Sequence, residues 1–338
     1  MDGLIQHFYI GSYARMGSPG IFSAQLDRAA GTLSVMPLCS EVENPSWLTR
    51  HANGNVLYVT EEREKDGRLA VLERTGNAWQ VRQRFPAGDA PCHITVDAAG
   101  ENLFVSNYLS GSLGVYRLDS DGRVQGQTQL IQHSGHGPNP ERQEKAHVHS
   151  TLCTGDRVFV ADLGLDLVVE YHLNRADGTL DRVRGMSVSP GAGPRHMVQI
   201  DGQPEMLYVA GELDGNLYRL DLSSGTVAEK RRIVPEDYRA KLRVSSVKVT
   251  GRTLYIGCRD LNMVAQFELC PDGTTGRCAL YRHRQETPRD VWMDEQYCIT
   301  ADEGSGGLTL LSRTGMELTQ RAFIKTEGAC PACIVPVR

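Results

Sequence analysis

One short strand pattern recurs along the chain, and nothing else in the sequence constrains the fold as tightly. An aromatic-centred apolar triplet is followed by a polar turn: Phe8-Tyr9-Ile10, Leu57-Tyr58-Val59, Leu103-Phe104-Val105, Val158-Phe159-Val160, Leu207-Tyr208-Val209 and Leu254-Tyr255-Ile256, with a weaker copy at Tyr297-Cys298-Ile299. Their central residues stand 49, 46, 55, 49, 47 and 43 positions apart. That period is too long for one hairpin and suits a four-stranded blade. About ten residues before each triplet lies another strand, as at Pro91-Cys92-His93-Ile94-Thr95-Val96. About ten residues after it lies a third with alternating apolar positions, as at Leu113-Gly114-Val115-Tyr116-Arg117-Leu118. Asp121-Gly122, Asp177-Gly178 and Asp272-Gly273 then signal hairpins. A more polar fourth strand follows, as expected at an outer edge where charge discourages pairing. Seven triplets predict an all-β chain: one domain over residues 1–338, a seven-bladed β-propeller of four-stranded antiparallel blades.

The closure of the ring is also legible. Ala332-Cys333-Ile334-Val335-Pro336-Val337 resembles an inner strand with no partners after it. The N-terminus starts at the second strand of a blade. Joining the two predicts a seventh blade built from about 330–338 plus 4–40. No stretch has useful 3.6-residue periodicity, so helices should be minor.

Composition removes several classes of function. The net charge of −5 is spread without a basic stripe or arm, so nucleic acid is not an expected partner. No apolar run reaches the ~18 residues of a membrane span. The start, Met1-Asp2-Gly3-Leu4-Ile5-Gln6-His7, lacks the basic and apolar regions of a signal peptide, which makes the cytoplasm the expected location. Nine scattered cysteines then read as free thiols in a reducing compartment. Cys330-Pro331-Ala332-Cys333 has no second pair to complete a zinc ribbon and reads as strand residues. Neither a metal nor a cofactor is expected. There is no G-x-S-x-G elbow, Walker A or G-x-G-x-x-G.

Propeller topology says where chemistry should gather. The connection entering an inner strand and the one leaving the second strand lie on one face of the disc, so residues in those slots converge at the channel mouth. The entry slots hold His93, His147, His149, Arg195, His196 and Arg289. The exit slots hold Glu61, Asn107, Tyr108, Asp162, Glu212, Arg259 and Glu303. Such a mouth can bind an anionic small molecule and activate water. Each residue also has a plainer reading: His93 as a strand cap, Arg195 as a tie between blades, Asp162 as a turn-stabilising carboxylate, Glu61 as part of the solvated run Glu61-Glu62-Arg63-Glu64-Lys65. The longest interval contains an insertion, His133 to Ser150, rich in Gly, Pro and polar residues. It is predicted to be a loop, and long loops in compact domains are usually functional.

Several of these segments resemble the seven-bladed propeller lactonases, the family of cycloisomerase-type 6-phosphogluconolactonases. They are Gly137-Pro138-Asn139-Pro140-Glu141-Arg142-Gln143 leading to His147-Val148-His149-Ser150, Asp162-Leu163-Gly164-Leu165-Asp166, and Gly191-Ala192-Gly193-Pro194-Arg195-His196-Met197 with Glu212-Leu213. Pro45-Ser46-Trp47-Leu48 and Ser106-Asn107-Tyr108 agree more loosely. The resemblance implies a site of one His, two Arg and one Glu, matched by His149, Arg195, Arg289 and Glu212. There are departures: Gly211 stands where the family often has Asn, Ser245-Ser246 where blade five usually carries an acid, and Asp290 where His or Gly is commoner.

The reaction expected from this resemblance is hydrolysis of 6-phosphogluconolactone to 6-phosphogluconate in the oxidative pentose phosphate pathway. The substrate would be a small anionic sugar lactone. Either His149 or Glu212 would serve as general base, and Arg195 would take the oxyanion or carbonyl. Arg289, helped by Arg142 or Arg259, would hold the phosphate. His93, Asn107, His147, Asp162 and His196 complete the expected binding set. Two alternatives stay open: lactone chemistry on a carboxymuconate-type dicarboxylate, and a non-catalytic interaction propeller. The oligomeric state is not legible.

Overall fold

The computed structural model describes residues 4–76, 78–234 and 243–337. Their strands form seven four-stranded antiparallel sheets. Blades are numbered here from the first contiguous set. Blade one is Leu48–Arg50, Val56–Glu61, Arg68–Thr75 and Ala78–Pro86; blade two is Pro91–Val96, Asn102–Asn107, Ser112–Leu118 and Val124–Gln132. Blade three is Val148–Thr154, Arg157–Asp162, Leu167–Asn174 and Thr179–Ser187; blade four is Pro194–Val198, Met206–Gly211, Asn216–Asp221 and Thr226–Arg232. Blade five is Val244–Thr250, Thr253–Cys258, Met263–Leu269 and Thr275–Arg282; blade six is Pro288–Met293, Tyr297–Asp302, Gly307–Thr314 and Glu317–Lys325. Blade seven takes Cys330–Val337 as its inner strand, followed by Ile5–Tyr13, Ile21–Asp27 and Thr32–Cys39.

Each apolar triplet is the middle of a second strand. Those strands are buried on both faces because every blade is sandwiched between two others, which is why they read as continuous apolar runs rather than alternating ones. The core is accordingly a set of layers between neighbouring blades. Tyr208, Ala210 and Leu217 of blade four pack on Ile256, Ala265 and Phe267 of blade five. Phe8 and Ile10 of blade seven pack on Ile299 and Leu308 of blade six. The aromatic triplets and the Asp-Gly turns, two separate signals in the sequence, are joined in space. Tyr58 Oη donates to Gly122 O of the next blade at 2.5 Å, and Tyr208 Oη donates to Gly273 O at 2.5 Å. Both glycines have positive φ, and a Cβ there would meet the tyrosine hydroxyl at 3.0 and 2.9 Å.

The ring closes as the orphan strand suggests. Cys330–Val337 pairs antiparallel with Ile5–Tyr13, from His7 opposite Val337 to Tyr13 opposite Cys330. Cys330 is exposed, Cys333 is buried, and both are free. The only helical element among the described residues is the 3-10 turn Arg259–Leu261. No described helix is long and apolar enough to cross a membrane.

Candidate functional site

Two repeated backbone features build the mouth of the channel. The first is a bulge at the start of the inner strands. Pro91, Val148, Pro194 and Pro288 each stand opposite the last residue of the neighbouring second strand, and the register then skips one residue. The skipped residues are Cys92, His149, Arg195 and Arg289. Blade seven skips Ala332 in the same way, and blade five skips both Ser245 and Ser246. A bulge leaves its extra residue unpaired and re-aims its side chain. Three residues of the expected His-Arg-Arg-Glu set occupy this one slot.

The second feature is the first residue beyond each second strand: Glu62, Tyr108, Leu163, Glu212, Arg259 and Glu303, with Tyr13 equivalent in blade seven. The strand pleat puts the preceding residue on the opposite side. Bulge residue and exit residue then meet within a blade. Ser46 donates to Glu62 in blade one, Arg195 Nε stands 2.9 Å from Glu212 Oε2 in blade four, and Arg289 Nη1 donates to Glu303 Oε2 at 2.9 Å in blade six.

Glu212 is the hub of the larger cluster. Arg142 Nη2 reaches its Oε1 at 2.8 Å, and Arg259 Nη2 reaches its Oε2 at 2.8 Å. Glu212 is only 2 % exposed. Burial alone would raise its pKa, but the guanidinium groups of Arg259, Arg195 and Arg142 hold it far below the usual carboxylate range. Arg195 is 3 % exposed, and burial together with Arg259 pushes it down to about 10, so it stays charged at neutral pH. Its Nε–H is not aimed at Glu212. Neither Nε nor Nη1 has a hydrogen-bond acceptor among the described residues. His149 is buried, its Nδ1 is likewise unpartnered, and burial and Arg195 hold it well below its ordinary pKa, so the ring is neutral.

The long loop delivers Arg142, and its sequence explains how. Asn139 Oδ1 accepts from the backbone of Glu141 and Arg142, and Gln143 closes the turn through its main chain and its Oε1. The fully buried Gln143 amide donates to Leu163 O and to Asp166 Oδ1, at 2.8 and 2.7 Å. Asp166 in turn accepts from Gly191 N and Gly193 N, just before Pro194 and Arg195. Gly193 has φ +61°, and a Cβ on it would come within 2.7 Å of the Leu213 side chain. The three motif segments are thus one hydrogen-bonded unit that sets Arg142 and Arg195 against Glu212.

Aromatic side chains of different blades meet at the channel. Trp47 of blade one lies 4.4 Å from the His93 ring and 5.1 Å from the His196 ring of blade four. Blades one and four are not neighbours, so this contact crosses the axis. His149 and His196 stand 5.5 Å apart. His93 is pushed down to about 3 by burial, with Arg195 and Lys248 adding to it, and His196 falls well below its ordinary value for the same reasons. Blade five lacks the acid, and the buried Asp290 of blade six pairs with Lys248 of blade five at 2.7 Å.

The remaining expected residues are turned to other duties. Asn107 Oδ1 accepts from Gly88 N, and its amide donates to Ser112. Asp162 accepts from the backbone of His147, Gly164 and Leu165 and pairs with His133 Nδ1 at 2.7 Å. Glu61, the last residue of its strand, pairs with Arg84. His147 stacks on Tyr108 at 4.4 Å, with Nδ1 at Tyr108 O and Nε2 at Glu144. Gly211 stands where a Cβ would meet the Asp214 carboxylate at 2.5 Å. The residues missed in the sequence are Tyr13, Ser46, Trp47, Glu62 and Cys92. Only the repeated register marks Cys92 as the equivalent of Arg195, and Tyr13 and Glu62 as equivalents of Glu212. No group of three or more His, Cys, Asp or Glu able to hold a metal occurs among the described residues.

Comparison with known proteins shows the family. Residues 7–335 match the family described as lactonase, 7-bladed beta-propeller. The chain is 31% identical over 323 residues to the 6-phosphogluconolactonase of Bacillus subtilis (strain 168), covering 90% of each protein. It is similar to a crystal structure of a Lactobacillus plantarum protein, with a TM-score of 0.91 and 27% identity over 99% of this chain and 100% of that one. The periplasmic gluconolactonase of Pseudomonas aeruginosa shares the fold with a TM-score of 0.88 at 23% identity, over 99% of each chain. The chain belongs to the seven-bladed β-propeller lactonase family.

Proposed function

We propose that the protein hydrolyses 6-phosphogluconolactone to 6-phosphogluconate. One observation carries the reading: a buried guanidinium with unspent donors, Arg195, stands beside a neutral imidazole with an unpartnered nitrogen, His149, in a cation-rich mouth. Lactone hydrolysis needs both groups. His149 takes a proton from water as its oxygen adds to the lactone carbonyl carbon. Arg195 donates to the oxyanion that forms, in a site where water is largely excluded. Collapse of the tetrahedral intermediate breaks the bond to the ring oxygen, which receives the proton back from His149. Glu212 is a poor base, because three guanidinium groups stabilise its charge; it holds Arg195, Arg142 and Arg259 in place. The reading places the enzyme in the oxidative pentose phosphate pathway and in the cytoplasm, which its nine free thiols suit.

The test is turnover of freshly prepared 6-phosphogluconolactone at controlled pH, corrected for spontaneous hydrolysis, before and after exhaustive chelation. Turnover is expected in both states. No rate above the spontaneous one, with this lactone or a panel of others, contradicts lactonase chemistry; loss on chelation restored by a divalent ion contradicts the metal-free scheme.

A further inference from the structure

The mouth is not electrically uniform, and its division follows the blade order. On the arc formed by the long loop and blades three to five, Arg142, Arg195 and Arg259 share one carboxylate, Glu212. On the opposite arc, blades six, seven and one, the balance reverses. Arg289 is already paired with Glu303 at 2.9 Å, and its Nη2 donates to Tyr13 Oη at 2.5 Å. The Tyr13 hydroxyl donates a hydrogen bond to Glu62 Oε2 at 3.0 Å, and Ser46 also donates to that carboxylate. The guanidinium of Arg289 lies over the Tyr13 ring, 4.9 Å from its centre. One cation therefore faces two carboxylates. Glu62 and Glu303 are only partly buried, so they have capacity left for further donors.

We infer that the mouth is a two-sided sugar-acid site: on one arc Arg142 and Arg259 take the phosphate and Arg195 the lactone carbonyl, and the arc of Glu303, Tyr13 and Glu62 takes the ring hydroxyls. This deepens the sugar-lactone reading above and rests on it. The substrate's own connectivity fits the division. In a six-membered aldonolactone the carbonyl carbon is bonded to the ring oxygen, and the carbon bearing the phosphorylated arm is bonded to that same oxygen. Carbonyl and phosphate thus share one edge, and the three ring hydroxyls occupy the other. Hydroxyl donors suit carboxylate acceptors, and phosphate and developing oxyanion suit guanidinium donors. A dicarboxylate lactone has no such match: its second carboxylate would meet Glu62 or Glu303 with like charge. Arg289 is then a positioning residue, holding Glu303 and Tyr13, rather than the phosphate anchor that its place in the sequence suggests.

The test is calorimetric titration of the reaction product, 6-phosphogluconate, and of its unphosphorylated analogue, gluconate, into the full-length protein and its variants, with lactone turnover measured alongside. Glu303→Gln and Glu62→Gln should weaken both ligands alike, by about tenfold or more, the size expected for lost hydrogen bonds to a charged group. Arg142→Gln and Arg259→Gln should weaken 6-phosphogluconate by a similar factor and leave gluconate nearly unchanged. Tyr13→Phe, which removes one hydroxyl and no charge, should follow the glutamate pattern and serves if a charge variant fails to fold. The inference is overturned if the glutamate variants bind 6-phosphogluconate unchanged or more tightly, or if the arginine variants weaken both ligands equally. Lactone turnover by the unaltered protein with the wrong variant pattern sinks this inference alone. Absence of both turnover and sugar-acid binding sinks it together with the proposed function.

Discussion

At the scale of single residues, the proposed mechanism pairs charged groups that stay charged with a neutral base. His149 is held well below its ordinary pKa by burial and by Arg195. A base with a lowered pKa remains deprotonated further into acid. The kcat/KM profile should therefore be flat through neutral pH and fall only at an apparent pKa below about 6.5, the ordinary histidine value. His149→Gln should remove most of the activity. An acid limb centred above pH 6.5, or an active His149→Gln variant, would show that another group is the base. The residue types and slots of this site were legible in the sequence, whereas the pairings were not. Arg289 and Arg195 occupy equivalent slots and look interchangeable there. Only the structure shows that one is matched by Glu303 and Tyr13 and the other shares Glu212 with two more guanidinium groups.

At the scale of the strand, one residue decides between site and scaffold. Asn107 and Asp162 are the last residues of their second strands, and Tyr108 and Leu163 follow them. Because side chains alternate along the pleat, the last strand residue turns into the blade and the next faces the mouth. The sequence could not resolve this, since strand ends are uncertain by more than one residue. The same slot also holds Asp302 in blade six, and the contrast with Asp162 is testable. Asp162 receives three backbone N–H groups and His133, so Asp162→Asn should cost about 1–3 kcal/mol. Asp302 receives Thr309, leaves Oδ1 without a donor, and stands 4.0 Å from a neutral His283; burial raises its pKa to about 7. The sign follows from linkage. From the unfolded value near 4 up to about 7 the folded protein keeps a proton that the unfolded chain has released, so stability falls as pH rises across that window. Asp302→Asn should therefore raise the melting temperature at pH 8, by on the order of 1 kcal/mol or about 2 °C, and the gain should vanish near pH 4. Thermal melts of both variants at pH 5 and pH 8 check this; destabilisation by Asp302→Asn at pH 8 would refute it.

At the scale of the molecule, ring closure distributes the whole core among interblade layers, so no blade is stable without two neighbours. Removing residues 330–338 deletes the inner strand of blade seven and strips its backbone partners from Ile5–Tyr13. It also removes Ile334 from the layer shared with blade six. Unpaired buried backbone groups cost about 1–3 kcal/mol each, against a total stability of about 5–15 kcal/mol. Aggregation or a collapse of the melting temperature is the expected outcome, and a truncated chain that melts with the parent would contradict the closure. This architecture was legible because it depends on repetition: seven copies of one pattern outweigh the ambiguity of any single strand. The closing strand was legible because Cys330–Val337 has an inner-strand pattern, and it pairs with Ile5–Tyr13. What repetition cannot convey is how the copies differ, and the function lies in those differences around one ring.

The most direct test of the account is the rate of 6-phosphogluconolactone hydrolysis by Arg195→Lys and Arg195→Ala, with melting temperature recorded on the same samples. Glu212 keeps Arg142 and Arg259 in either variant, so the fold should lose little. The lysine variant keeps the charge and loses the planar fork, and should still lose a large share of kcat. The alanine variant should lose about 2–4 kcal/mol of transition-state stabilisation, a drop of roughly 30- to 1,000-fold, at near-parental melting temperature. Normal turnover in Arg195→Ala, or a lower melting temperature with turnover intact in the folded fraction, would remove Arg195 from the chemistry.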